Sequence, residues 1–322
     1  MFLKCSTLRK SISFAFAPYF SICFSWLCLC PHGYTQTTGI SEERKADKIK
    51  FDETDIPVKA EDIEQARINE EEIKTRVSKS IEEIKSLIAH LEQDAKTTGI
   101  YLDKLRQEKK DYQGRDVNPK FLELLDREIE VVKEKIDIDH EQIETYEDRI
   151  TVLHDQLKVY AGLVVLLESI IKLEDSISTI PYDEAPAIRK EADVAKSYII
   201  EIQDSIKEKE AVVSFFTNRV NEIKDKARID EQNLARYLKS MKEGIGDEKP
   251  AGKLQEKIDS ILRWKKTVNE QRITIFQTRL ETSRIRYDVG LQAWKNAELN
   301  AAFLAEKARR LEERQKERRF KK

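Results

Sequence analysis

Apolar residues between Leu122 and Ile171 recur at alternating steps of three and four, and this repeat constrains the fold more than any other feature. One set of positions, seven apart, begins at Leu122, and the second begins at Leu125. Asp139 is the only charged interruption. A repeat of 3.5 residues is shorter than the 3.6-residue turn of an α-helix, so its apolar seam stays on one side of a supercoiled helix. The pattern therefore predicts a long helix that packs along a partner helix.

Composition narrows the fold class further. The 322 residues include only 9 glycines and 7 prolines, too few turn formers to punctuate an all-β or an alternating α/β chain. Hydrophobic residues make up 40% of the chain and recur in register, which argues against disorder of the whole chain. The 58 basic and 60 acidic residues leave a net charge of −2, so nothing overall attracts nucleic acid, and we expect no nucleic-acid partner.

A seam of the same kind lies upstream, in residues 73–112. Between the two seams, residues 113–118 contain Gly114, which ends one helix, and Asn118, which with the following Pro119 starts the next. If the chain folds back there, apolar residues oppose apolar residues, for example Leu105 against Ile129. We predict a first antiparallel helical hairpin over residues 62–180, with its turn at 113–118.

A second hairpin is predicted over residues 187–318, after the prolines at 181 and 186, with its turn at 244–252. Folding about that turn sets large residues against small ones, for example Ile206 against Gly290. The predicted fold class is all-α and elongated, with two long antiparallel coiled-coil helical hairpins made of four long helices.

Charged residues occupy two positions of the second hairpin's seam, and a charge in a seam needs a partner. The fold-back supplies one in each case. We predict seam ion pairs between Lys209 and Asp288, and between Asp230 and Lys265 or Lys266.

The N-terminus has the layout of an export signal. Three basic residues before position 11 precede an apolar run at 12–30, so we interpret residues 1–36 as a signal peptide or an uncleaved membrane anchor, and 37–61 as a flexible lead-in. Either form leaves the rest of the chain outside the cytoplasm. All four cysteines lie before residue 31, and a mature chain without thiols fits an oxidising compartment. The expected location is the periplasm, free or anchored to a membrane.

Residues 159–173 are apolar on nearly all sides, so a helix there must face more than one neighbour. The sequence leaves two interpretations open: packing against the second hairpin, or a docking patch for another subunit. The candidate interaction residues are Leu163, Val165, Leu166 and Ile170.

No motif indicates catalysis. The glycine-rich turn at 246–253 lacks the spacing and the hydroxyl of a phosphate loop, and His140 has no second histidine at zinc-protease spacing. We therefore predict a protein that is not an enzyme and that has no cofactor and no metal site.

The final 17 residues, 306–322, contain nine basic and four acidic residues, and 319–322 form a basic tail. Again two interpretations are open: a solvated helix end, or a basic end that contacts anionic lipid headgroups.

An exported lead, Gln- and Glu-rich heptad hairpins and an Ala-rich helix at 296–306 together resemble the periplasmic coiled-coil region of large mechanosensitive channels of the small-conductance family. The resemblance spans roughly residues 60–318. In that family the region precedes membrane helices and a pore. The resemblance implies an extension without the pore, whose partner is a membrane channel or a second copy of itself.

The expected function is that of an exported, non-enzymatic coiled-coil protein, a periplasmic sensory or assembly extension of a mechanosensitive-channel system. The alternative is a free periplasmic scaffold or adaptor rod that bridges envelope components. A third hypothesis, a cytoplasmic coiled coil that binds chromosome or cytoskeleton, requires that the N-terminal segment is not a signal.

Overall fold

The computed structural model describes residues 58–114, 117–245 and 251–320. Within these ranges 97% of residues are helical and none lies in a strand, which confirms the all-α prediction. The predicted signal or anchor at 1–36 and all but the end of the lead-in at 37–61 lie outside the described residues.

Four long helices and two short ones follow one another in the described chain. They are α1 (Ala60–Gln113), α2 (Pro119–Ile171), α3 (Leu173–Thr179), a 3₁₀ turn (Tyr182–Glu184), α4 (Ala185–Ile245) and α5 (Ala251–Phe320). The lead-in was predicted to reach residue 61, but residues 60 and 61 are already helical. Residues 115–116 and 246–250, in the two predicted turns, lie outside the description.

The start of α2 is fixed as its sequence predicts. Asn118 caps the helix, because its side-chain oxygen accepts a hydrogen bond of 3.0 Å from the backbone N–H of Lys120. Pro119 takes the first helical position, where no backbone N–H is needed and its fixed φ already fits the helix.

Between α2 and α4 the chain turns within 13 residues. The helix is interrupted at Lys172, resumes as α3, and ends before Ile180 and Pro181, which are both extended. Proline cannot donate a backbone hydrogen bond in a helix interior, so Pro181 stops the helix, while Pro186 is tolerated in the first turn of α4.

The helices α1 and α2 run in opposite directions along each other. Near one end Leu105 shares a buried cluster with Ile129. Near the other end Ala66 packs with Val164 and Leu167. The residue numbers therefore fall along α1 as they rise along α2.

The helices α2 and α5 run in the same direction. Lys257 lies 3.0 Å from Glu128 near the start of both helices, and Asn296 donates a 3.0 Å hydrogen bond to the carbonyl oxygen of Val159 near the end of α2. The two helix pairs thus lie side by side, with α2 and α5 adjacent.

The helix α4 packs antiparallel on the other side of α5. Asn269 of α5 donates a 3.3 Å hydrogen bond to the carbonyl oxygen of Ala227, and Ile206 lies against Gly290. The order of packing across the molecule is α1, α2, α5, α4. At one end all four long helices contribute to a single buried cluster, which includes Phe121, Leu124, Leu238 and Ile258, with Tyr112 packed against it.

Candidate functional site

The apolar stretch at 159–173 packs mostly inside the molecule. Ile170 is buried in a cluster with Phe303 of α5 and Ile188 of α4, and Leu166 packs against the same cluster. Leu163 is half-buried and, like Leu299 of α5, packs against the cluster of Ala66, Val164 and Leu167. Of the four candidate residues Val165 alone is exposed, at 62%. Docking of another subunit on this stretch remains a prediction, and it would rest on Val165 and on Ile171, which is 43% exposed.

Within the described residues one helix, Pro119–Ile171, is long and apolar enough to cross a membrane by length and composition. Core helices of soluble proteins pass the same test. In this helix 33% of the most apolar window is buried within the fold.

The predicted seam charges have the following surroundings. Lys209 donates a 2.6 Å hydrogen bond to Ser205, and its stem lies against Gly290. Lys265 pairs with Glu134 of α2 at 2.8 Å, and Lys266 lies 3.8 Å from Glu270. The pairings of Lys209 with Asp288, and of Asp230 with either lysine, stay predictions.

Ion pairs at seven-residue intervals join α2 to α5. Glu134 pairs with Arg272 at 2.8 Å, Glu141 with Arg279 at 3.0 Å, and Asp148 with Arg286. In all three pairs the residue numbers differ by 138, as expected for two parallel helices with one fixed register. We call this row the charge ladder.

Glu134 of the charge ladder pairs with two basic side chains of α5, Lys265 and Arg272. Burial raises its pKa, but hydrogen bonds from Lys265 and Arg272 outweigh burial, so the pKa lies below the ordinary glutamate value. The Glu134 carboxylate is therefore ionised at neutral pH and stabilises the contact between the two helix pairs.

The α5-facing side of α2 is a second buried stripe with steps of four and three. It differs from the α1-facing stripe because polar residues alternate with apolar ones along it. The buried polar members are Glu128, Lys135, Gln142, Thr145 and Gln156.

Glu128 is fully buried and lies at the centre of a polar cluster. Tyr101 of α1 and Ser260 of α5 each donate a 2.7 Å hydrogen bond to one of its carboxylate oxygens. Lys257 lies 3.0 Å from the other oxygen and donates a 2.7 Å hydrogen bond to Glu108. Burial lowers the pKa of Lys257, but the two glutamates more than offset it, and the pKa lies above the ordinary value. This cluster ties three helices together.

A second buried cluster lies two turns further along α2. Lys135 and Asp139, with side chains 5% and 0% exposed, form a 2.5 Å ion pair. Gln271 of α5 donates hydrogen bonds to Asp139 at 2.7 Å and to Gln142 at 3.2 Å. Asp139, the residue that interrupts the apolar repeat, is thus a contact between the helix pairs.

Gln156 is the exception on this stripe. It is fully buried, and both its amide oxygen and its amide nitrogen lack a hydrogen-bond partner. An unpaired buried amide costs about 1–3 kcal/mol, so Gln156 destabilises the interface.

A cleft of about 590 Å³ lies between α2 and α4. Four carboxylates line it, together with Arg127, Lys265 and Tyr237. Tyr237 donates a 2.6 Å hydrogen bond to Glu123, which with burial raises the pKa of the phenol. The carboxylates are Glu123, Asp126, Glu130 and Asp230.

The basic C-terminal end of α5 is partly engaged within the protein. Arg314 and Arg318 lie over the ring of Tyr182, with their guanidinium carbons 5.0 and 4.5 Å from its centroid. Arg314 also donates a hydrogen bond to the carbonyl oxygen of Ile177. These contacts hold the end of α5 against the turn between α2 and α4.

The described residues contain no group of three or more His, Cys, Asp or Glu side chains that could hold a metal ion. His90, His140 and His154 are all exposed.

No protein-family description, no curated protein and no solved structure matches this chain.

Outside residues 159–173, for which packing against the second hairpin was one interpretation, sequence reasoning missed the contact between α2 and α5, although a signal for it was present. Basic residues stand seven apart at 265, 272, 279 and 286, and acidic residues stand seven apart at 134, 141 and 148. Two rows of opposite charge that share the same seven-residue spacing indicate two helices that lie side by side.

Proposed function

We propose that the protein is an exported, non-enzymatic coiled-coil protein that serves as a sensory or assembly extension of a mechanosensitive-channel system. In this proposal α1 with α2, and α4 with α5, form two antiparallel coiled-coil hairpins that act together as one rod. The charge ladder is the observation that carries the proposal, because it couples the two hairpins at three successive heptads of α2.

A rod that transmits force must resist sliding of its helices. All three ladder pairs have the same offset, so a shift of α2 along α5 by one residue misaligns all three at once. The buried contacts at Glu128 and Asp139 act in the same way, because sliding would leave buried charges without partners. The helix α2 has 53 residues, so at 1.5 Å per residue its contact with α5 can extend over at most roughly 80 Å.

The proposed location follows from the N-terminal sequence, and a reporter experiment tests it. Alkaline phosphatase fused after residue 320 is expected to be active, since that enzyme folds only outside the cytoplasm. The N-terminus of the mature protein then distinguishes a cleaved signal from an anchor. An inactive fusion, with the protein in the cytosolic fraction, would contradict export and favour the cytoplasmic hypothesis.

The channel connection is tested by hypo-osmotic shock. Cells that lack the protein are expected to survive a sudden dilution less well, and wild-type protein should restore survival. The double variant Arg272→Glu and Arg279→Glu reverses the charges on the α5 side of the charge ladder only. It should restore survival less well than the wild-type protein does. If the fusion experiment shows that the protein is exported, and cells that lack it nevertheless survive the shock normally, the channel role is excluded.

The alternative is a free periplasmic scaffold or adaptor rod. Large apolar side chains exposed on the outer helices favour it, among them Leu87 and Ile100 on α1, which are 47% and 55% exposed.

Contact of the basic C-terminal end with lipid headgroups is compatible with either function. Lys316 and Arg319 are exposed there, and liposomes with and without anionic lipid would test it.

A further inference from the structure

Helix α4 carries two stripes with steps of three and four, and only one of them is covered. The covered stripe packs on α5 through residues such as Ile202, Val220 and Ile223, which are 4–7% exposed. The second stripe follows the adjacent flank of the helix from Glu191 to Arg236. It contains four of the large apolar side chains that α4 exposes: Val194 at 47%, Val212 at 42%, Phe215 at 59% and Ile229 at 48%.

Helix α2 also carries two stripes with steps of three and four, and both of them bind a neighbouring helix. On α2 two such stripes are each buried by a different neighbouring helix, α1 on one side and α5 on the other. An apolar residue at such a position is stabilised when a further helix removes it from water. The second stripe of α4 therefore has the form of a helix-binding surface.

The charges on this stripe identify the binding partner. Acidic residues, among them Glu201 and Glu208, lie in its N-terminal half, and basic residues, among them Arg219 and Lys226, lie in its C-terminal half. A second α4 in the same direction and register would set like charges together. An antiparallel α4 would set opposite charges together.

One antiparallel register matches both the apolar and the charged members. If Val212 of one copy faces Phe215 of the other, the helix spacing sets Glu208 opposite Arg219 and Glu201 opposite Lys226. Further out, the same register sets Glu191 opposite Arg236. The one remaining acidic member, Glu222, pairs with Arg219 of its own helix at 2.6 Å and faces the neutral Ser205, so Arg219 would lie between Glu222 and the partner's Glu208. Because the arrangement has a two-fold axis, each pair occurs twice.

We propose that this flank of α4 is the interface of a homodimer, in which α4 of a second copy packs antiparallel along residues 191–236. At 1.5 Å per residue the contact extends over about 68 Å. The centre of the contact is apolar, around Val212 and Phe215, and ion pairs lie on both sides of it. The inference rests on the fold of the described residues, so its test is independent of the tests of the proposed location and channel role.

The test is the mass of the protein purified as the cell makes it, measured by light scattering over a range of concentrations. The expected mass is twice that of one chain, which is 37.6 kDa for the full sequence. Glu201→Lys and Lys226→Glu should each weaken the dimer roughly tenfold or more, because two attractive pairs become repulsive. Neither residue has an ion pair within its own chain in the described structure, so folding should be unaffected.

Mixing the two variants provides the sharpest outcome. In the mixed dimer the lysine introduced at position 201 of one copy faces the glutamate introduced at position 226 of the other. The unchanged Lys226 and Glu201 also face each other, so the affinity should return to that of the wild type. The matched control is Lys224→Glu, which reverses an exposed charge two residues from Lys226 but off the stripe. This control should leave the dimer unchanged.

An apolar pair of variants tests the centre of the contact. Phe215→Asp should yield monomers, whereas Ile200→Asp should not, although Ile200 is 61% exposed on the other flank of α4. The proposal is overturned by a wild-type protein that is monomeric up to about 100 µM. It is also overturned if the charge variants dimerise as tightly as the wild type, or if mixing the two variants does not restore the dimer. Equal loss of dimer in Phe215→Asp and Ile200→Asp would overturn it too.

Discussion

The side chain of Ile206 in α4 lies over the bare backbone of Gly290 in α5, so closely that a methyl group placed on Gly290 would come within 3.1 Å of Ile206 Cγ1. A large residue against glycine lets the two helices approach each other there. Glycine weakens a helix interior by roughly 1 kcal/mol relative to alanine, and the close packing of Ile206 offsets that cost.

Gly290→Leu is therefore expected to destabilise the protein by about 1–3 kcal/mol, because the added side chain overfills the contact with Ile206. Chemical denaturation followed by circular dichroism measures the change. The matched control is Gly99→Leu in α1, where a side chain would meet nothing within 4 Å, and this variant should be at least as stable as the wild type. Equal losses in both variants would contradict the packing at Gly290.

Glu134→Gln is expected to lower the free energy of unfolding by about 1 kcal/mol at pH 7, since it removes the anion shared by Lys265 and Arg272. The pKa of Glu134 is lowered in the fold, so its contribution is present above the unfolded pKa and is lost as the pH falls through the folded value. Wild type and variant should thus become equally stable in acid. Glu144→Gln, at an exposed position of the same helix, should differ from the wild type at neither pH.

Gln156→Met is expected to raise stability by about 1–3 kcal/mol, because methionine fills a similar volume without two unpaired polar atoms. The comparison is Gln142→Met on the same stripe. Gln142 bonds to the Tyr146 hydroxyl at 3.1 Å and to Gln271 at 3.2 Å, so that variant should lose stability. Thermal unfolding of the two variants and the wild type measures both changes in stability. A loss at both positions would mean that Gln156 has a hydrogen-bond partner, such as a buried water molecule.

Asp139→Leu is expected to cost about 3–5 kcal/mol, because it leaves the Lys135 ammonium buried without its partner. Replacing both residues, with Lys135→Met and Asp139→Leu together, should recover most of that loss, since an apolar pair needs no desolvation of charge. A double-mutant cycle from denaturant unfolding gives the coupling energy. Additive losses would show that the two charges do not depend on each other.

The contacts between α1 and α2 could be predicted from the sequence because both faces are apolar. Leu105 and Ile129 were expected to oppose each other, and they share a buried cluster with Leu102 and Val132. Apolar periodicity locates such a face directly, because burial of apolar surface is what forms it.

The contact between α2 and α5 could not be found in this way. Its stripe on α2 contains Glu128, Lys135, Gln142 and Gln156, and these residues hide the apolar repeat to which they belong. Polar side chains become buried there only because partners on other helices complete their hydrogen bonds, and a single-helix pattern does not reveal partners more than a hundred residues away. The regular spacing of charges was the remaining indication.

The two faces of α2 also meet their partners at different times. A chain is synthesised from its N-terminus, so α1 is available as soon as α2 emerges, whereas the α5 residues that contact α2 follow their partners by 129 to 138 residues. During that interval the α5-facing side of α2 is in contact with water. A side that includes Glu128, Lys135, Gln142 and Gln156 tolerates this delay better than a wholly apolar one. The polar residues therefore keep this face of α2 compatible with water until α5 arrives, and the unpaired amide of Gln156 is the cost in the finished fold.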